Sequence, residues 1–103
     1  MEELFTASHR RPVVIFKHSS TCGISAGVIR EVESLETDVN IVTVQRSREL
    51  SNAIALRTGI RHESPQAIVL ACGEPVYFAS HYDITQEDIE AHLAAPFSSV
   101  AAS

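Results

Sequence analysis

Cys22 and Ser25 stand three residues apart, the spacing of a Cys-x-x-Cys redox motif with a hydroxyl in the second thiol's place. A second thiol would let the chain resolve its own mixed disulfide. Ser25 can donate a hydrogen bond to a Cys22 thiolate but cannot attack sulfur, so a cysteine reacting here needs an outside thiol to release it. The competing reading is structural, since a free cysteine is often a small buried hydrophobe. The surroundings of Cys22 favour chemistry. Before it runs Pro12-Val-Val-Ile-Phe16, short and β-branched, suited to a strand buried on both faces; after it Ile24, Val28, Val32 and Leu35 recur at helical spacing. At a strand-to-helix junction, unpaired backbone N–H groups and the positive helix end favour an anion, which is how a thiol becomes a thiolate at neutral pH.

Other residues are candidates to complete a site. His18, four before Cys22, is a candidate thiolate stabiliser, with a capping or surface role as its alternative; His62 is a weaker candidate of the same kind. Pro65 opens the third predicted strand, which lies beside the cysteine loop if it runs antiparallel to the first. A cis Ser64–Pro65 bond would turn the Ser64 backbone toward the thiol and offer an extended partner two strand-like hydrogen bonds. A trans proline that merely starts a strand is the plainer alternative. Cys22 and Ser25 are thus the expected catalytic residues, and Thr21, Gly23, Ser64 and Pro65 the expected substrate-binding ones. Cys72 is a poor resolving thiol: six residues at roughly 3.3 Å each place it about 20 Å beyond Pro65, at the other end of the strand. The two cysteines cannot fill a zinc site. An oxyanion-gripping loop wants an arginine six residues after the cysteine, where Val28 stands.

The elements that must hold these residues read off in order. A short edge helix is expected within residues 2–10, a strand from Val13 to about Lys17, and a helix from Cys22 or Gly23 to Thr37. A strand over Ile41–Val44 follows, making a right-handed βαβ unit. Ser47 is the expected N-cap of a helix using Leu50, Ala53, Ile54 and Leu56 as apolar surface, with Gly59 as its left-handed C-cap. Strands over Gln66–Ala71 and Val76–Ala79 form a hairpin around Cys72-Gly-Glu-Pro75. Thr85 with Asp88 resembles a capping box, Ile84 can staple to Ile89, and Pro96 ends the last helix. The order (α)-β-α-β-α-β-β-α predicts one α/β, thioredoxin-like domain over residues 1–103, a four-stranded mixed sheet with helices on both faces, and a frayed tail at 98–103.

Composition bounds the function. The 103 residues are 45% hydrophobic and 20% charged, an ordinary globular balance. A net charge of −5 and a pI near 5.4 argue against nucleic acid or a membrane surface as partner. Arg10, Arg11 and Lys17 are the only local basic cluster. No apolar run is long enough for a signal-peptide core or a membrane span, so the expected compartment is the cytoplasm, where thiols stay reduced.

Three motifs in order, Phe16-Lys-His-Ser-Ser-Thr-Cys-Gly-Ile-Ser25, Ser64-Pro-Gln66 and Ala79-Ser-His-Tyr-Asp-Ile-Thr85, resemble the monothiol bacilliredoxin family of the YtxJ type. The resemblance runs from about Phe5 to Leu93. It implies a thioredoxin-like fold, no bound cofactor, and removal of a low-molecular-weight thiol, bacillithiol, from S-thiolated cytosolic proteins, with Cys22 as nucleophile and Ser25 as the family's serine. Gly23 departs from the proline usual after that cysteine, and Tyr82 from a frequent tryptophan. Gly23 also brings the motif near the Cys-Gly-Phe-Ser of monothiol glutaredoxins, but Ala79-Ser-His81 stands where those carry Gly-Gly-Asp. A glutaredoxin-like iron–sulfur carrier and a non-catalytic adaptor are the alternative functions. Oligomeric state and protein targets have no signal in the sequence.

Overall fold

The computed structural model describes residues 1–19, 23–35 and 37–93. Its elements are α1 (Glu2–Ala7), β1 (Val13–His18), α2 (Gly23–Glu33), β2 (Val39–Thr43), α3 (Arg48–Thr58), β3 (Gln66–Ala71) and β4 (Glu74–Ser80). A 3₁₀ turn at His81–Asp83 leads into α4, whose described part spans 86–93. The strands form one mixed sheet in the order β2-β1-β3-β4, with β1 and β2 parallel and the other two pairs antiparallel. This is the predicted α/β thioredoxin-like architecture, reached because β1 must cross over through α2 to meet β2 in parallel.

The period-2 alternation of the strands divides the core in two. On one face Val14, Phe16, Ala67, Val69 and Ala79 pack against Val28 and Val32 of α2, against Leu35 just beyond its end, and against Ile84 and Ile89. On the other, Val13, Ile15, Ile68 and Leu70 pack against Phe5 of α1, Ile54 of α3 and Ile60. The Arg57 guanidinium lies 4.4 Å over the Phe5 ring and pairs with Glu2, fastening α1 to α3.

Several boundaries differ from expectation. α2 ends at Glu33, about a turn before Thr37. Ser34 donates both its N–H and its hydroxyl to the Arg30 carbonyl, and Leu35 bonds back only three residues to Val32, so the helix tightens and stops. β2 starts at Val39, where pairing with Val14 begins. The hairpin turn is two residues, Cys72 (φ 54°) and Gly73 (φ 80°), as a type I′ turn requires, so β4 begins at Glu74. Pro75 is accommodated because β4 is an edge strand and the register shifts beside it.

Gly59 closes α3 with φ 74°, as expected. Ser47 holds the N-cap position, but its side chain makes no capping bond. Leu56 is 86% exposed, because two residues past buried Ile54 is the far side of a helix. The Thr85 hydroxyl accepts the Asp88 N–H at 3.2 Å, and Ile84 and Ile89 are buried in one cluster, so the last helix starts as predicted. The stop at Pro96 and the tail at 98–103 lie outside the described residues. No described helix is long and apolar enough to cross a membrane.

Candidate functional site

The C-terminal end of β1 gathers most of the predicted residues. Lys17 pairs with Gln66 across the β1–β3 ladder, so continuing the register sets His18 opposite Pro65. The Ser64–Pro65 bond is cis, Pro65 is buried, and its carbonyl accepts the His81 N–H at 3.0 Å. The third strand therefore enters the sheet beside the residues that lead into the cysteine loop.

Ser25, in the first turn of α2, is wholly buried. Its hydroxyl oxygen accepts the Ser19 N–H at 3.1 Å and lies 2.7 Å from His18 Nδ1. His18 is held in turn by a stacked contact with Phe16, ring centroids 5.9 Å apart. Gly23 is exposed as the first residue of α2, with open space where a Cβ would stand. Ser64 is half-buried. Thr21 and Cys22 lie outside the described residues; along the chain they join Ser19 and Ser20 to Gly23.

Cys72 stands exposed in the hairpin turn at the opposite end of the sheet, past the pairing of Val13 with Leu70. Its N–H donates to the Ser8 carbonyl at 2.8 Å. It is the turn residue expected, placed to close the hairpin against α1.

His62 does not join His18. Its Nδ1 lies 3.1 Å from Lys17 Nζ, on the α3 face of the sheet, and Lys17 also donates to the Ser51 carbonyl at 3.1 Å. Lys17 is completely buried, which sets it apart from the exposed Arg10 and Arg11 of the same local basic cluster. The signal for this was available: Val13, Ile15 and Lys17 share one face of a strand read as buried on both. Burial holds the Lys17 pKa below its ordinary 10.5. The His62 pKa is lowered by burial first and by the Lys17 charge second, with Glu63 partly offsetting both. Burial, then Asp88 and Asp83, raises that of Tyr77.

A sheet in the order β2-β1-β3-β4, a cis-proline opening β3, and a serine in the second position of the Cys-x-x-Ser motif define a thioredoxin-fold protein of the monothiol kind. Residues 1–89 match the family model of the monothiol bacilliredoxin BrxC, and the chain belongs to that family. Among solved structures it is similar to a thioredoxin-fold protein described as a candidate oxidoreductase. The two are 31% identical, with a TM-score of 0.79, over 88% of this chain and 86% of that one. The thioredoxin of Fasciola hepatica shares the fold at 18% identity and a TM-score of 0.67, over 89% of this chain and 86% of its own. A thioredoxin variant from Halobacterium salinarum does so at 20% identity and 0.66, over 90% and 81%.

Proposed function

We propose that the protein is a monothiol thiol–disulfide oxidoreductase that removes a low-molecular-weight thiol from cytoplasmic protein mixed disulfides through Cys22. The observation that carries this reading is the placement of Ser25: the second motif position is a buried hydroxyl, and the other cysteine, Cys72, is at the far end of the sheet. One sulfur must do the work. Membership of the bacilliredoxin family supports bacillithiol as the small thiol.

In this mechanism the Cys22 thiolate attacks the small thiol's sulfur in the mixed disulfide. A Cys22–small-thiol disulfide forms, the original S–S bond breaks, and its electron pair leaves on the target protein's sulfur, which takes a proton from solvent. A second small thiol, as its thiolate, then attacks the small thiol's sulfur on Cys22; the symmetric small-thiol disulfide forms, the Cys22–sulfur bond breaks, and Cys22 leaves as the thiolate. The Ser25 hydroxyl has one hydrogen to donate and two lone pairs. The Ser19 N–H occupies one lone pair; a hydrogen on His18 Nδ1 would occupy the other, leaving the hydroxyl hydrogen for the thiolate. His18 thus acts on the sulfur through Ser25. In the same mechanism Thr21, Gly23, Ser64 and Pro65 are the residues that would bind the mixed disulfide. The test is release of the reporter thiol from a bacillithiol-protected protein: activity that survives in Cys22→Ser contradicts the proposal.

A further inference from the structure

A cavity of about 270 Å³ lies beside the candidate site, lined by Val44, Gln45, Arg48, Ser51, Asn52 and His62. Two hydrogen bonds tie it to the residues preceding the cysteine loop: the Val44 N–H donates to the His18 carbonyl at 2.9 Å, and Gln45 Nε2 to Ser19 Oγ at 2.8 Å. In a chain with 13 acidic residues, none lines it. Arg48 is its one charged lining side chain. Arg48 has no carboxylate partner among the described residues, whose ion pairs are Arg11–Asp38, Arg57–Glu2 and His81–Glu63. His62 accepts from the Lys17 ammonium on Nδ1, which fixes the remaining hydrogen of the neutral ring on Nε2. Glu63, next to His62 in the chain, turns to His81 at 3.7 Å.

Two further observations mark the cavity as built for an anion. Ser51 is 1% exposed, and its hydroxyl has no hydrogen-bond partner. Lys17 is a wholly buried cation whose two partners, the Ser51 carbonyl and His62 Nδ1, belong to residues of the cavity wall and are both neutral. A buried ammonium without a carboxylate is costly, and an anion arriving in the adjoining cavity would offset that cost. The α3 N-terminus, uncapped by the Ser47 side chain, points the same charge preference at the same place.

We infer that this cavity anchors a carboxylate of the small thiol while its sulfur reaches Cys22. The inference rests on the proposed function and adds a substrate preference: low-molecular-weight thiols that carry carboxylates, gripped by Arg48, are favoured over neutral ones. No group is transferred in the cavity; the anchor only raises the local concentration of the disulfide at the thiolate.

The experiment uses one reporter protein protected in turn with mercaptosuccinate, which carries two carboxylates, and with 2-mercaptoethanol, which carries none. The full chain should free the mercaptosuccinate reporter about tenfold faster, the scale of one charge-assisted hydrogen bond. In Arg48→Gln the ratio of the two rates should fall toward one. Arg10→Gln removes the same charge at the opposite end of β1 and should keep the wild-type ratio. Equal rates for the wild type, or a ratio undiminished in Arg48→Gln, overturn the inference while the proposed function stands. Failure to free either reporter overturns the proposed function and this inference with it.

Discussion

Ser25 Oγ lies 2.7 Å from His18 Nδ1 and 3.1 Å from the Ser19 amide, joining the last residue of β1 to the first turn of α2 on either side of the cysteine loop. A cysteine at the Ser25 position would put a second thiol into a fully buried pocket shaped for a hydroxyl. The serine therefore ties the loop's two anchors together, and in the proposed mechanism it also limits the chemistry to one sulfur.

Replacing Ser25 with alanine leaves the Ser19 N–H and the His18 ring without this partner. Stability should fall by about 1–3 kcal/mol, the cost of stranding a buried polar group, measured by denaturant unfolding. The same variant should raise the pKa of the Cys22 thiol, read from the pH dependence of its alkylation. An unchanged thiol pKa would mean that the serine holds the loop but does not touch the sulfur.

Lys17 gives a stability difference with a defined pH direction. Its pKa in the folded chain is below 10.5, so between the two values the unfolded chain holds more protons and folding gains stability as pH rises. The stability of the wild type minus that of Lys17→Met should therefore climb with pH through the alkaline range and level off above 10.5. The difference isolates Lys17 from Tyr77, whose raised pKa acts in the opposite direction. A flat difference would mean that the folded chain bears the buried charge without penalty.

His62 reports on the same contact. Its folded pKa lies below 6.5, so its contribution to stability is present above 6.5 and is lost as pH falls toward the folded value. In Lys17→Met the His62 ring should titrate at higher pH by NMR, yet still below 6.5, because burial rather than the Lys17 charge is the larger cause.

The sequence carried most of the fold because its punctuation coincides with its periodicity. Pro65 opens β3, Gly59 ends α3, and Thr85 with Ile84 and Ile89 starts α4, each by a local rule that the packing does not override. The parts that were not legible depend on partners distant in the chain. The early end of α2 comes from Ser34 competing for a carbonyl, and the position of β2 from its register with Val14. Leu56 looks apolar in composition and faces water in space. At the site, the motif spacing identified Ser25, but not that the side chain it meets is His18; both His18 and His62 are close to the motifs in sequence, and only the sheet separates them onto opposite faces. Lys17 groups with Arg10 and Arg11 in the sequence yet is buried in the fold, which is uncommon for lysine.

The two exposures on α3 make a simple check of the helix assignment. Leu56→Gln should change stability by no more than about 0.5 kcal/mol, whereas Ile54→Ala, two residues away and fully buried, should cost about 2–5 kcal/mol. Comparable losses in both would place Leu56 in a packed interface.

The central claim is that Cys22 alone takes up the small thiol, and intact-mass spectrometry tests it most directly. Reduced protein incubated with a bacillithiol-protected reporter should gain the mass of one bacillithiol, mapped by peptide analysis to Cys22. Cys72→Ser should gain the same adduct and Cys22→Ser none. An adduct that persists in Cys22→Ser, or that maps to Cys72, would contradict the account.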